Sequence, residues 1–106
     1  MNEVRWAEDA VQDLEGLLAY MAERDPNAAL GLFHQIRERA ELLAVSPEHG
    51  RVVPELRAFG VLAYREVIVR PYRIVYRSGD QCVWVVTVFD VRREVADVLF
   101  ERLIRG

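Results

Sequence analysis

The chain contains no lysine; all fourteen of its cations are arginines. Guanidinium stays charged across the accessible pH range, so chemistry that needs a titratable side-chain amine is excluded, whereas bidentate recognition of carboxylate or phosphate is not. There is one cysteine, Cys82, inside an apolar run, so no intrachain disulfide exists and the thiol reads as a buried strand residue. His34 falls in a helical stretch and His49 in a turn, and with a lone cysteine they make no metal-ligand cluster. No metal or other cofactor is expected. Ser46 precedes a proline and Ser78 lies in a turn, neither beside a base in register, which speaks against serine nucleophile chemistry. The glycines lack the spacing of a phosphate loop. No apolar run approaches the roughly 20 residues that span a bilayer, and "MNEVRWAEDA" lacks the basic-then-apolar order of a secretory signal. A cytoplasmic protein without a membrane partner is therefore expected.

What is present is globular. With 106 residues, 52% hydrophobic and 29% charged, the chain has the size and composition of a single domain spanning residues 1–106. A short strand is expected at Asn2 to Trp6. Ala7, Ala10, Val11, Leu14, Leu17, Leu18 and Met21 then follow helical spacing, ending near Glu23 or Arg24, with acids in the first turns where the helix dipole favours them. "RDPNAA" restarts the helix, with Asp25 as N-cap and Pro26 as first helical residue, and Ser46-Pro47 ends it. The result is a helical hairpin.

After "PEHGR" the pattern becomes β-rich: Leu62 to Val69, Tyr72 to Arg77, and Cys82 to Val91, the last two joined by a turn at Ser78-Gly79-Asp80. From about Arg92, Val95, Ala96, Leu99, Phe100, Leu103 and Ile104 return to helical spacing. The order predicts an α+β fold: an N-terminal strand, a helical hairpin packed on a mostly antiparallel sheet of three to four strands, and a short C-terminal helix.

Charge is divided between the halves. Residues 1–50 carry ten acids against four arginines, a net of −6, while residues 51–106 carry ten arginines against seven acids, a net of +3. In Tyr72 to Arg77 the alternation turns Tyr72, Ile74 and Tyr76 toward the helices and leaves Arg73 and Arg77 on the opposite face. In the next strand Val83, Val85, Thr87 and Phe89 alternate with Trp84, Val86 and Val88, so both sides are apolar and the second needs a cover. The arginines either pair with Glu55, Glu66, Asp90 and Glu94 on a solvated surface or form a basic, partly apolar face for an acidic partner. In Val61 to Val69, Arg65 and Glu66 lie on opposite faces, and the pattern leaves open which one points to the core.

"V-x-W-A" opening into an acidic helix, "DPNAA", "SPEHGRVVPEL", "YREV", "PYRIVYR" and "V-x-D-V-R-R-E" together resemble the RelE/ParE superfamily of bacterial toxins from type II toxin-antitoxin modules, over Val4 to about Arg93. The resemblance implies two branches: RelE-like ribosome-dependent endoribonucleases that cut messenger RNA, and ParE-like poisons of DNA gyrase. Arg65, Arg73 and Arg93 fall where the nuclease branch carries basic residues and would be its phosphate clamp. The proton-transfer partner departs from that branch: Asp90 stands where a histidine is common, and Leu99 where a tyrosine would be. An arginine is a poor general base, and a net charge of −3 suits neither the ribosomal decoding centre nor direct nucleic-acid binding. These features favour the ParE branch, a non-enzymatic gyrase inhibitor. The resemblance further implies a cognate antitoxin, ParD-like or another small DNA-binding protein, whose acidic C-terminal tail folds along the toxin. The candidate contacts for antitoxin or target are Arg65, Arg73, Arg77, Arg92, Arg93 and Trp84.

Overall fold

A computed structural model describes residues 2–91 and 101–102. Within residues 2–91 five strands and three helices follow one another as β1 (Glu3–Trp6), α1 (Glu8–Ala22), α2 (Pro26–Leu42), β2 (Arg51–Val52), α3 (Pro54–Arg57), β3 (Tyr64–Val69), β4 (Tyr72–Gly79) and β5 (Cys82–Asp90). The sheet order is β1-β5-β4-β3-β2. The α+β class and the helical hairpin hold. The strand count does not: the sheet has five strands, and it is mixed, because β1 lies parallel to β5 while the other neighbours are antiparallel. The expected C-terminal helix falls mostly outside the described residues, as do Arg92, Arg93 and Leu99; Glu101 and Arg102 are helical.

The hairpin helices bury one stripe each. Ala10 of α1 and Leu32, Ile36 and Ala40 of α2 meet Val67 and Val69 of β3, Ile74 and Tyr76 of β4, and Val83, Val85 and Val88 of β5 in the main core. The restart at Asp25 is built as its sequence implies, since the carboxylate accepts from the Ala28 N–H at 3.1 Å. Asp25→Ala is expected to lower stability by about 1 kcal/mol, a typical N-cap contribution, in urea denaturation; Asp25→Asn should cost much less. The second helix stops earlier than Ser46. Leu43, Ala44 and Val45 each donate to the carbonyl three residues back, so the backbone tightens into a turn before the proline is reached.

The far side of the sheet carries a second, smaller core. There the four-residue helix α3 lays Leu56, with Val53, over Val75 and Phe89. This helix was not expected from the sequence, whose "PEL" segment is too short to show a period. Its lid answers part of the need for a second cover. β5 also departs from simple alternation. Tyr76 pairs with Val85 and Val75 with Thr87, leaving Val86 as the extra residue of a bulge. Each bulge shifts side-chain parity by one position. Val83, Val85 and Val88 therefore face the helices, while Trp84, Val86 and Phe89 face away.

The bulge is held from α1. β1 covers the edge of β5 only as far as Val85. Beyond it, Asp13 accepts from the Val88 N–H at 3.2 Å and from Thr87 Oγ1 at 2.8 Å, so backbone left open where β1 ends finds a side-chain partner. The other Asp13 oxygen takes Arg102 Nη2 at 2.6 Å, tying the C-terminal segment to α1.

Candidate partner-binding face

Three of the expected site arginines lie within the described residues, and they stand in three different environments. Arg65 pairs in register with Tyr76, which faces the helices, so it is on the opposite side of the sheet from Arg73 and Arg77. Its guanidinium donates to the carbonyl of Gly50 at 2.7 Å and holds the loop before β2. Arg65 is thus not part of one arginine face. It is Glu66 that points outward from β3, beneath α3.

Arg73 is on the expected face but buried, only 6% exposed. Its Nη1 and Nη2 form a bidentate pair with Glu55 of α3 at 2.9 and 2.8 Å, and its Nε donates to Glu66 at 2.7 Å. Arg51 of β2 closes the other Glu66 oxygen at 2.7 Å, and the Arg73 guanidinium lies 5.6 Å from the Phe89 ring centre. Fixed forks of this kind satisfy donors and acceptors together. The hydrogen bonds that Arg73 donates to Glu55, and then those to Glu66, raise its pKa against the desolvation that would lower it. The same bond to Arg73 holds the Glu55 carboxyl below its ordinary value. Of the two readings open in the sequence, Arg73 takes the structural one, with Glu55 and Glu66 as its partners. As a contact for another molecule it would first have to leave both carboxylates.

Arg77 is different. It is exposed and makes no hydrogen bond or ion pair with any side chain among the described residues. In register it stands directly beside Trp84 of β5 and Tyr64 of β3. These three side chains line a groove of about 480 Å³ on the outer face, with Val86 on its floor, Ala7, Glu8 and Asp9 from the start of α1, and Arg102. The structure brings Arg77 and Trp84 together. Tyr64 was missed, because its place depends on the β3–β4 register rather than on any local motif.

A second groove, of about 260 Å³, runs between the β1 edge and the hairpin, with Val4, Trp6, Leu14, Phe33 and Ala40 as apolar walls and the Arg37–Glu41 pair at its margin. Among the described residues there is therefore one apolar groove beside the helices and one groove of mixed charge, with two aromatic side chains, on the opposite side. Among the described residues no group of three or more His, Cys, Asp or Glu is placed to hold a metal ion. No described helix is long and apolar enough to cross a membrane.

The fold is thus a helical hairpin on one face of a small mixed sheet, with a groove on each side. The profile of the family described as the ParE toxin of the type II toxin-antitoxin system parDE matches residues 4–95. The chain belongs to that family and is a ParE-like toxin of a type II toxin-antitoxin system. Among solved structures it is similar to a chain of the chromosomal ParDE toxin-antitoxin system from P. aeruginosa, with a TM-score of 0.69 and 18% identity, over 85% of this chain and 96% of that one. That likeness concerns the fold. No curated protein matches the chain.

Proposed function

We propose that this toxin arrests growth in the cytoplasm by poisoning DNA gyrase, and that a cognate antitoxin with an acidic tail neutralises it. The observation that carries the choice of target is the closure of Arg73. A ribonuclease needs a free cation at the scissile phosphate and a group that transfers protons. Here the central cation of the outer face is matched on both sides by Glu55 and Glu66, and Arg65 is turned to the other face. That argues against the RelE-like reading and leaves the protein to act by contact. The antitoxin reading is supported by the two grooves. An amphipathic helix fits the apolar groove beside the hairpin, and acids following it fit Arg77, with Trp84 beside it.

The decisive experiment induces the gene alone and assays plasmid supercoiling beside messenger integrity, with purified protein added to gyrase in parallel. Growth arrest, lost supercoiling and trapped cleaved DNA are the expected results, all abolished by co-expressing the antitoxin. Messenger cleavage on programmed ribosomes with supercoiling intact would sink the gyrase assignment.

A further inference from the structure

Ile74 and Val75 are neighbours in β4 and both are fully buried, but under very different covers. Ile74 belongs to the main core, built with two helices of 15 and 17 residues. Val75 lies with Phe89 on the other face, where among the described residues the cover is α3 and its flanks, with Val53, Leu56 and Val61. Little backbone holds that cover down. The N–H groups of residues Leu56 to Val61 all donate to carbonyls of Val53, Pro54, Leu56 or Arg57, inside the segment itself, and a bond from the Val53 N–H to the Tyr64 carbonyl at 3.0 Å anchors its base. Around the reversal at Gly60, where φ is 78°, the large apolar side chains stand mostly in solvent: Phe59 is 72% and Leu62 60% exposed. What fastens the middle of the segment is Leu56 in the small core and the fork between Arg73 and Glu55.

We propose that α3 is a lid that opens as a unit while the main core stays folded, and that the Arg73–Glu55 fork is its latch. The charges permit this. Lifting α3 takes Glu55 away but leaves Arg73 bonded to Glu66, through Nε at 2.7 Å and Nη2 at 2.6 Å, with Arg51 on the other Glu66 oxygen at 2.7 Å. Glu55, whose side chain is already 35% exposed, passes into water. Opening therefore strands no charge inside, unlike the loss of one partner from a fully buried pair. Segments with few buried apolar groups and solvent-exposed backbone bonds open at a lower free energy than the fold as a whole. Once uncovered, Val75 and Phe89 continue the apolar strip of Tyr64 and Val86, which pack against this small core and also line the outer groove. The outer face thus has a closed state and a wider one, whatever the toxin's target. Arg73 stays paired with Glu66 in both, so opening does not create the free cation of a ribonuclease site.

Thiol labelling of the full chain tests the lid. In a Cys82→Ser background, Val75→Cys places a thiol under α3 and Ile74→Cys places one under the hairpin helices. Each variant is exposed to an aromatic disulfide reagent, and its labelling rate is divided by the rate that its own global unfolding, measured in urea, allows. That ratio removes differences in stability between the variants. Position 75 is expected to label about 100-fold faster than global unfolding allows, with little dependence on urea, because lifting a four-residue helix exposes little surface. Position 74 should label no faster than global unfolding allows. Adding Glu55→Ala should raise the ratio at position 75 about tenfold further and leave that at position 74 unchanged. Equal ratios at the two positions, or equal dependence on urea, overturn the lid. Fast labelling at position 75 that Glu55→Ala does not change overturns the latch.

Discussion

Arg73→Ala is expected to cost about 3–5 kcal/mol of folding stability in urea denaturation, the range seen when one partner of a buried ion pair is removed. For a domain of this size total stability is about 5–15 kcal/mol, so a large fraction would be lost. Most of the cost lies in what is left behind. The Glu66 side chain is fully enclosed, and without Arg73 it keeps only the single hydrogen bond from Nε of Arg51, whose own side chain is largely exposed. Arg51→Ala should be much milder, because Arg73 still closes Glu66 from the buried side. Replacing the central pair together, as Arg73→Met with Glu66→Leu, should recover much of the loss, since no uncompensated charge then remains inside. A single variant no worse than the exposed Arg51→Ala would show that the network is not enclosed as described.

The same network predicts an acid limb. The Glu55 carboxyl is held below its ordinary value mainly by its hydrogen bonds to Arg73. A carboxyl depressed by folding contributes stability above its unfolded-state pKa and loses that contribution as pH falls through the folded value. Stability should therefore decline from the ordinary carboxylate range downward, and the decline should be shallower in Arg73→Met/Glu66→Leu, where Glu55 loses its hydrogen bonds from Arg73 and keeps only the weaker attraction of Arg51. Glu55 is partly exposed, so solvent screening moderates the effect.

How much of this could be read from residues alone depends on whether a feature is local. The two helices, the Asp25 cap and the parity of Tyr72 to Arg77 were legible, because each is set by spacing within one element. That parity placed Arg73 and Arg77 correctly on one face. It could not distinguish them, since α3 covers one and leaves the other open, and a single turn of helix leaves no periodic trace. The division of β5 into two faces was misread beyond Val85, because a bulge is a property of two strands and nothing in "CVWVVTVFD" marks it. The parallel partner of β5 was likewise invisible in the four residues of β1. Arg65 and Glu66 show the same limit in sharper form. One of the two had to face the core side; the pairing of Val52 with Arg65 and of Arg51 with Glu66 decided which, and with it which carboxylate would hold Arg73.

Among the glycines described, Gly50 is the one where Gly→Ala is expected to do the most damage. A Cβ at Gly50 would sit 2.5 Å from the carbonyl oxygen of Glu66 and 2.7 and 2.8 Å from the hydroxyl and ring of Tyr76. The position is also tied by hydrogen bonds. Its N–H donates to the Tyr76 hydroxyl at 2.9 Å, that hydroxyl donates to the Pro47 carbonyl at 2.6 Å, and the Gly50 carbonyl accepts from Arg65. Burial pushes the Tyr76 phenol up, so it stays neutral and keeps both bonds. Overpacking of a buried site costs about 1–3 kcal/mol, and each buried donor or acceptor left open costs about as much again. A loss of about 3 kcal/mol or more follows, measured by the same denaturation. Tyr76→Phe alone should cost less, and added to Gly50→Ala it should rescue little, because the closest obstacle is the backbone of β3 rather than the tyrosine. That backbone carries Glu66. Pushing it outward disturbs the pair with Arg73, so Gly50→Ala and Arg73→Met should be non-additive by about 0.5–3 kcal/mol in a double-mutant cycle. Additive losses would mean that the loop moves away from the added methyl and leaves β3 in place.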